Sequence, residues 1–567
     1  MKRAPAARLS ELETARSQYG PGCAARVERL LASLRGQTFP DAESLAAFHD
    51  TLLFLRAFPQ SRKVVILTEA LLGNVGQQVK ALRDSGADLD LFESEEFSGI
   101  AGTEIRDTFT YEVARWLAQR FPRDLRVNWD VAAQSRQMSS SLPQLLPLLA
   151  DDCLVEADTP YLEWLSSAAG GADRILPWLM QRLESSPRTI LEKTAWYDAL
   201  KIEIEWELGE SAASRTRARR NPETFYYHNA PLIQRKQVSL EEELASPPLP
   251  VRKLSRREGE QVMDFVRAAI TVRYRELYGT TRGDGGHVVE ADVGRGVHIF
   301  LWGLPPERRL PVRGYYAGLT VKNGVPINYI EGIGLFEWME VGFNTFYAFR
   351  EGETAWIYAK VLHLLNQIAG ITCFSVYPYQ IGQDNEEAIK SGAFWFYRKL
   401  GFRPGKPELM ALTEREEARI AKTPGYRTPA RALRKLAAEH IFYETGDGPR
   451  GLWDRFATRN IGFVVERHMA EKFKGDPGRM RQAAVASLAR ELGIDVRKWT
   501  PLGQTAFADF AVVLALVPEV KGWSSREKEQ LAEIIRAKLG ASEVEYLRLT
   551  QGHGRLKQVM LQLGSVE

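Results

Sequence analysis

Residues 313–349 read RGYYAGLTVKNGVPINYIEGIGLFEWMEVGFNTFYAF. The runs RGYYAGLTV, VPINYIEGIGLF and EVGFNTFYAF within it are dense in β-branched and aromatic residues and are bounded by Gly and Pro, which is the pattern of strands. Asn323-Gly324 in VKNGVP is the strongest short hairpin signal, because the favoured two-residue turn needs positive φ at both central positions. The first two runs are therefore expected to pair antiparallel.

Upstream, GVHIFLWGL (296–304) reads as a further strand and REGEQVMDFVRAAITVRYREL (257–277) as a helix by its apolar period. Downstream, AWIYAKVLHLLNQI is helical, ITCFSVYP is a short strand, EEAIKSGAFWFYRKL is helical, and GFRPG turns the chain into a closing strand. Mixed α/β architecture over residues 249–412 follows from this order. On either side the apolar positions recur at three and four, as in VERLLASLRG, YEVARWLAQRF, AVASLARELG and EKEQLAEIIRAKLG. Residues 1–210 are thus expected to form an all-helical N-terminal region and 413–567 a mainly helical C-terminal one. Between the first region and the α/β domain, 211–248 holds basic residues, aromatics and closely spaced prolines that no single helix accommodates, so it reads as a linker.

A chain of 567 residues exceeds the size at which one core stops growing, so about two to four domains are expected. With 44% hydrophobic and 10% aromatic residues it is too apolar to be disordered. The 75 basic and 72 acidic side chains nearly cancel, which removes any global attraction to nucleic acid or anionic membranes. Cys23, Cys153 and Cys373 are odd in number, far apart and without metal-ligand spacing, so neither a disulfide framework nor a metal site is indicated. No run of about 18 uncharged apolar residues occurs and the N-terminal stretch has no signal-peptide core, so a cytoplasmic protein with no membrane partner is expected.

Chemistry concentrates where a strand ends and a helix begins, at Phe349-Arg350-Glu351-Gly352-Glu353-Thr354-Ala355. Unpaired N–H groups at a helix start, with the helix dipole behind them, form an anion site. A simple strand-to-helix turn, with Gly352 lending freedom and the two glutamates favouring the helix start, has the same sequence. Further on come Asn385-Glu-Glu-Ala388 and Tyr397-Arg-Lys-Leu-Gly401-Phe402.

That ending resembles the last motif of the GNAT superfamily of acyl-CoA N-acyltransferases, in which an Asn-x-x-Ala start and a Tyr-x-Lys-x-Gly-Phe finish mark the helix and strand beside the acyl-CoA. The family's phosphate loop runs Gln or Arg, two residues, Gly, one residue, then Gly or Ala. Arg350 and Ala355 occupy its first and last positions, Glu353 falls on its central Gly, and Gly352 lies one place early. The resemblance implies a mixed, mostly antiparallel sheet whose fourth and fifth strands, here EVGFNTFYAF and TCFSVYP, splay apart so that the pantetheine arm bonds to exposed backbone.

The resemblance further implies acetyl-CoA or another acyl-CoA as cosubstrate, no metal, and direct transfer to an amine of unknown identity. By the same resemblance, Thr345, Phe346, Arg350, Glu351, Gly352, Glu353, Thr354, Ala355 and Asn385 bind the cofactor. Asn385 to Tyr397 is longer than is usual, which brings in Lys390 or Ser391 instead. Tyr397 would protonate the leaving thiolate, and a carboxylate would deprotonate the amine. Glu331, Glu337 and Glu340, on or just before the splayed strand, are the candidates for that base. His298 and His363 are either relays or hydrogen-bonded structural residues, and Asp384, Asn385 and Gln383 either line the substrate side or cap the next helix.

Two other readings compete with an enzyme. A non-catalytic scaffold of the same fold is motivated by Glu353 in the phosphate loop and by the large flanks. An RNA-linked modification factor is motivated by Arg215, Arg217, Arg219 and Arg220 followed by Phe225, Tyr226, Tyr227 and His228, a mix used on single strands. A linker wrapping the neighbouring domain is the commoner use of such a segment, so nucleic acid is not the expected partner.

Overall fold

The computed structural model describes residues 5–129, 137–156, 158–446 and 450–565. The chain is mixed α/β and divides into two compact units. The first comprises Met1–Pro231, Val262–Arg282 and Asn323–Pro326, and the second Leu232–Gln261, Gly283–Lys322 and Ile327–Glu567.

The first unit is helical with one small sheet, whereas an all-helical region is expected from the sequence. Strands β1 (Glu104–Asp107), β2 (Leu125–Val127) and β3 (Ile204–Glu207) pair antiparallel in the order β1-β3-β2. They are only three or four residues long, too short for a period of two to stand out beside long helices. Trp206 of β3 anchors the core with Trp116, Tyr111 and Tyr197.

The arginine-rich segment is packed into this unit and is neither a free linker nor a basic stripe. Arg215 is buried and its guanidinium donates to the carbonyls of Glu95 and Glu96. Arg217 pairs with Glu210, and Arg219 with Glu69 at 2.6 Å. Thr216 Oγ1 meets a His49 ring nitrogen at 3.0 Å and accepts from Ala101 N–H at 2.9 Å. Three of the four arginines thereby spend their charge on the unit itself, which leaves little for a phosphate backbone.

The second unit holds a nine-stranded sheet in the order β11-β12-β10-β9-β8-β7-β6-β5-β4. Its strands are β4 (Val251–Lys253), β5 (Val289–Asp292), β6 (Val297–Trp302), β7 (Gly314–Lys322), β8 (Val325–Leu335), β9 (Trp338–Thr345), β10 (Cys373–Val376), β11 (Arg403–Pro404) and β12 (Ile441–Glu444). The turn between β7 and β8 has Asn323 at φ 48° and Gly324 at φ 80°, as the dipeptide requires. The sheet is mostly antiparallel, and β9 with β10 is a parallel pair.

The helix between β9 and β10, α1 (Thr354–Ala369), is apolar on nearly every face and packs on the sheet through Tyr358, whose ring lies 4.9 Å from Phe343. Three short helices follow β10: α2 (Pro378–Ile381), α3 (Glu386–Ser391) and α4 (Ala393–Arg398). Gly392 at φ 70° breaks EEAIKSGAFWFYRKL, expected as one helix, into α3 and α4. GFRPG leads only into the two-residue β11, after which Pro407 starts a 16-residue helix. The inner closing strand is β12, which lies beyond residue 412, so the sheet extends into the expected C-terminal helical region. From Thr458 onward that region is helical, including α5 (Glu543–Gln551). Among the described residues no helix is long and apolar enough to cross a membrane.

Candidate active site at the divergence of two parallel strands

The ladder between β9 and β10 ends at Glu340 opposite Ser375, whereas the ladder between β8 and β9 continues to Thr345 opposite Asn328. From Val341 to Thr345, β9 thus has a strand on one edge only. Phe346 donates its N–H to Ile327 on the β8 side at 3.0 Å. By strand alternation, the amides of Phe343 and Thr345 point to the vacant edge. Phe346 itself is committed to β8 and its ring is buried.

Past the end of β9 the chain makes a tight turn and enters α1. Gly352 N–H donates to Phe349 at 2.9 Å, and the first helical bond runs from Ile357 N–H to Glu353 C=O at 3.0 Å. The N–H groups of Thr354, Ala355 and Trp356 therefore have no acceptor within the helix. Arg350 lies at this turn, stacked 3.9 Å over the Tyr347 ring and paired with Glu387 of α3. Glu351 is exposed and Ala355 is buried.

Glu353 does not point outward. Its carboxylate is fully buried, accepts from Ile233 N–H at 3.1 Å and from Arg295 Nε at 3.1 Å, and lies 3.8 Å from Lys322 Nζ. Lys322 is equally buried and donates to the Arg295 carbonyl. Burial pushes the Lys322 ammonium down to about 7, against the pull of Glu353. Glu353 is thus a counter-ion beneath the turn, its charge paired inside the protein.

Asn385 caps α3, its side chain accepting from Ala388 N–H at 3.0 Å. Lys390 and Ser391 are exposed at the C-terminal end of α3, and Ser391 Oγ donates to Ala388 C=O at 3.2 Å. That helix end presents carbonyls.

The two faces of β8 and β9 differ. Ile330, Gly332, Val341 and Phe343 are buried, while Glu331, Ile333, Glu340, Gly342 and Asn344 are half-buried. Register places Glu331 directly opposite Gly342, and Ile333 opposite Glu340, on the half-open face. At one end this face is covered by Trp338 stacked on Trp453, with ring centres 5.2 Å apart. Glu337 belongs to that covered end: it pairs with Lys557 and accepts from Trp453 Nε1 at 3.0 Å. Glu331 accepts from the Tyr315 hydroxyl.

Glu340 Oε2 lies 2.7 Å from His440 Nε2, and Arg313, its pKa lowered by burial and raised by Glu340, stands beside the same carboxylate. His440 immediately precedes β12, and its ring lies 5.5 Å from Tyr377, just beyond β10. Nothing in the sequence pointed to His440, because its neighbour Glu340 is 100 residues away. His298 pairs with Glu290 and His363 with Glu243.

Tyr397 of α4 reaches this region through Tyr358 and Gln380. Its ring packs edge-on against Tyr358 of α1 at 5.6 Å, and its hydroxyl lies 3.2 Å from Gln380 Oε1. Gln380 Nε2 sits 2.9 Å from where a Cβ on Gly342 would stand, on the opposite face of the sheet. Burial raises the Tyr397 pKa, so the hydroxyl stays protonated. The structure thus gathers Glu331, Glu340 and Tyr397 about the end of the β9–β10 ladder.

No protein-family model, curated protein or solved structure matches this chain. The arrangement has to be read from its own chemistry. It offers a protonated phenol packed on α1, two half-buried carboxylates on one face of β8 and β9, and a helix start at the end of the same strand.

Proposed function

We propose that the second unit is an acyl-CoA-dependent N-acyltransferase of the GNAT type that transfers an acetyl or other acyl group to an amine. The observation that carries this reading is the β9–β10 ladder, which stops at Glu340 and Ser375 while β9 runs on toward the start of α1. The expected splayed pair is EVGFNTFYAF and TCFSVYP, and these are the two runs involved.

The residues present suit an acyl-CoA. The amides of Phe343 and Thr345 match a pantetheine arm, and the start of α1 with Arg350 matches its phosphates. The buried pairing of Glu353 neutralises one carboxylate that would otherwise speak against a pyrophosphate there. When bound, the thioester supplies an activated acyl carbon.

The chain's own groups handle protons. Glu340, oriented by His440, takes the proton leaving the amine as the C–N bond forms, and Glu331 gives the face a second negative charge that attracts an ammonium. Tyr397 gives a proton to the sulfur as the C–S bond breaks. Exchange with water then returns Tyr397 and Glu340 to their starting states. Each proton transfer of this kind is worth about 10² to 10⁴ in rate.

The test is to incubate the full chain with acetyl-CoA and longer acyl-CoAs and a panel of primary amines, following free thiol. Amine-dependent thiol release supports the proposal. Stabilisation by acyl-CoA without release from any amine favours a non-catalytic scaffold instead.

A further inference from the structure

Arg313 stands immediately before β7, and its backbone is held at three points by α5 and the residues leading into it. The Tyr546 hydroxyl donates to the Val312 carbonyl, Lys538 Nζ donates to the Arg313 carbonyl at 2.6 Å, and the Tyr315 N–H donates to Glu543 Oε2 at 3.0 Å. Lys538 and Glu543 are themselves a buried pair. The segment that carries the Arg313 side chain is thereby fixed before any ligand arrives.

The guanidinium itself is not spent. Arg313 is half-buried, yet among the described residues its side chain makes no hydrogen bond and no ion pair, and none of its nitrogens is sealed from solvent. Other half-buried arginines of this unit differ: Arg309 donates to the carbonyls of Lys538 and Gly540, and Arg403 pairs with Glu444 and Asp454. Taking a charge partly out of water without a partner is costly, so such groups are ordinarily paired. Burial lowers the Arg313 pKa, and Glu340 is the charge that raises it. That carboxylate is committed elsewhere, with Oε2 at 2.7 Å from His440 Nε2, and it stays beyond ion-pair distance of Arg313. Arg313 thus stands beside the proposed base with its donors unoccupied. A planar guanidinium matches a carboxylate, two N–H groups to two oxygens. The opposite sign is provided by Glu331 and Glu340, which share one face of β8 and β9. A molecule carrying an ammonium and a carboxylate close together meets all three groups, whereas a plain amine leaves Arg313 unpaired.

We infer that the acceptor is an amino acid, its carboxylate held on Arg313 while its amine faces Glu340. This rests on the acyltransferase reading and names the acceptor class that the reading leaves open. The C–N bond forms as the thioester C–S bond breaks, the amine proton passes to Glu340, and Tyr397 protonates the sulfur. The products are an N-acyl amino acid and the free thiol. Arg313 takes no part in the proton transfers and sets specificity alone.

The test follows free thiol from the full chain with acetyl-CoA and each common amino acid beside its amide, which keeps side chain and amine but removes the negative charge. Rates are expressed per unprotonated amine, so that the different basicity of the two series does not enter. For at least one pair kcat/KM should favour the acid by about tenfold or more, the range of a hydrogen bond to a charged group. Arg313→Gln should abolish that preference by raising KM for the acid, with kcat and the amide nearly unchanged, and Arg313→Lys should recover part of it. A purely structural role would lower both acceptors alike. Equal use of acid and amide by the wild type, or the same preference kept by Arg313→Gln, would overturn the inference and leave the acyltransferase reading standing. Release with other primary amines but with neither series would do the same. Release with no amine at all would overturn the reading and the inference with it.

Discussion

The Glu353 carboxylate and the Lys322 ammonium face each other 3.8 Å apart beneath the start of α1, both without exposed side-chain surface, and Arg295 closes the cluster from its partly exposed side. This pairing spends the Glu353 charge inside the protein. Replacing it with Gln should therefore leave CoA affinity nearly unchanged instead of tightening it. The cost should appear in stability, because an uncompensated buried cation would remain. Removing one partner of a buried pair costs about 3 to 5 kcal/mol, and the low end applies here since Lys322 can release its proton and Arg295 reaches water. Urea unfolding of Glu353→Gln measures it.

Lys322 also gives the protein a signature in pH. Its ordinary value is 10.5 and burial lowers it to about 7 in the folded chain. Between those values the unfolded state binds more protons, so this residue makes stability rise with pH, by at most about 1.4 kcal/mol per unit. The contribution is flat above the unfolded value and reaches its full cost below the folded one. Unfolding free energies measured from pH 7 to 10 should show a steeper rise in wild type than in Lys322→Met.

Much of this was legible in the sequence where elements are long. β7, β8 and α1 lie where their aromatic runs, Asn323-Gly324 and the apolar period put them. β9 starts earlier, at Trp338, and stops at Thr345, the end of EVGFNTFYAF turning into a short 3-10 helix over Tyr347–Phe349. Short elements were not: β12 has four residues inside AEHIFYETGDG, and β1 to β3 are no longer. At the site, Tyr397, Arg350 and Glu340 stood out by type and position. His440 and the buried partners of Glu353 did not, because each pairing joins residues separated by dozens of positions and depends on strand register. Glu337 looked equivalent to Glu340 along the chain, and only Lys557 and Trp453 distinguish them.

Tyr397→Phe isolates the proton donor. The ring stays packed on Tyr358, so CoA affinity should hold, and losing the hydrogen bond to Gln380 should cost about 1 kcal/mol of stability. Turnover should fall by about 10² or more. Unchanged turnover would reassign the residue to packing.

Gly342 keeps the face open between Glu331 and Gln380. A Cβ there would stand 2.9 Å from Gln380 Nε2 and 3.6 Å from the Glu331 Cβ. Gly342→Val should be tolerated by the strand, since Val suits β structure, but should block the acceptor. The expected kinetic pattern is a large loss of kcat/KM for the amine with acyl-CoA binding retained.

Glu340→Gln and Glu331→Gln separate the two carboxylates. If Glu340 is the base, its substitution lowers kcat by about 10² or more at neutral pH, and the loss shrinks as pH rises and the free amine accumulates. Glu331→Gln should mainly raise KM for the amine, because it removes an attracting charge. A reversed pattern would exchange the roles.

The arginine-rich segment gives an independent check on the domain reading. Ser214 and Thr216 are fully buried, so limited proteolysis should spare residues 211–222, and RNA binding with a steep salt dependence should not be found. Early cleavage there would contradict the packing described.

The most direct test of the acyltransferase account is calorimetric titration of the full chain with CoA and acetyl-CoA at two salt concentrations. One site is predicted, with affinity that weakens as salt rises because phosphates are held by Arg350 and the start of α1. Glu353→Gln should bind within about twofold of wild type. Absence of binding at millimolar CoA by wild type and variant alike would contradict the account, and the diverging strands would then be a feature of a non-catalytic fold.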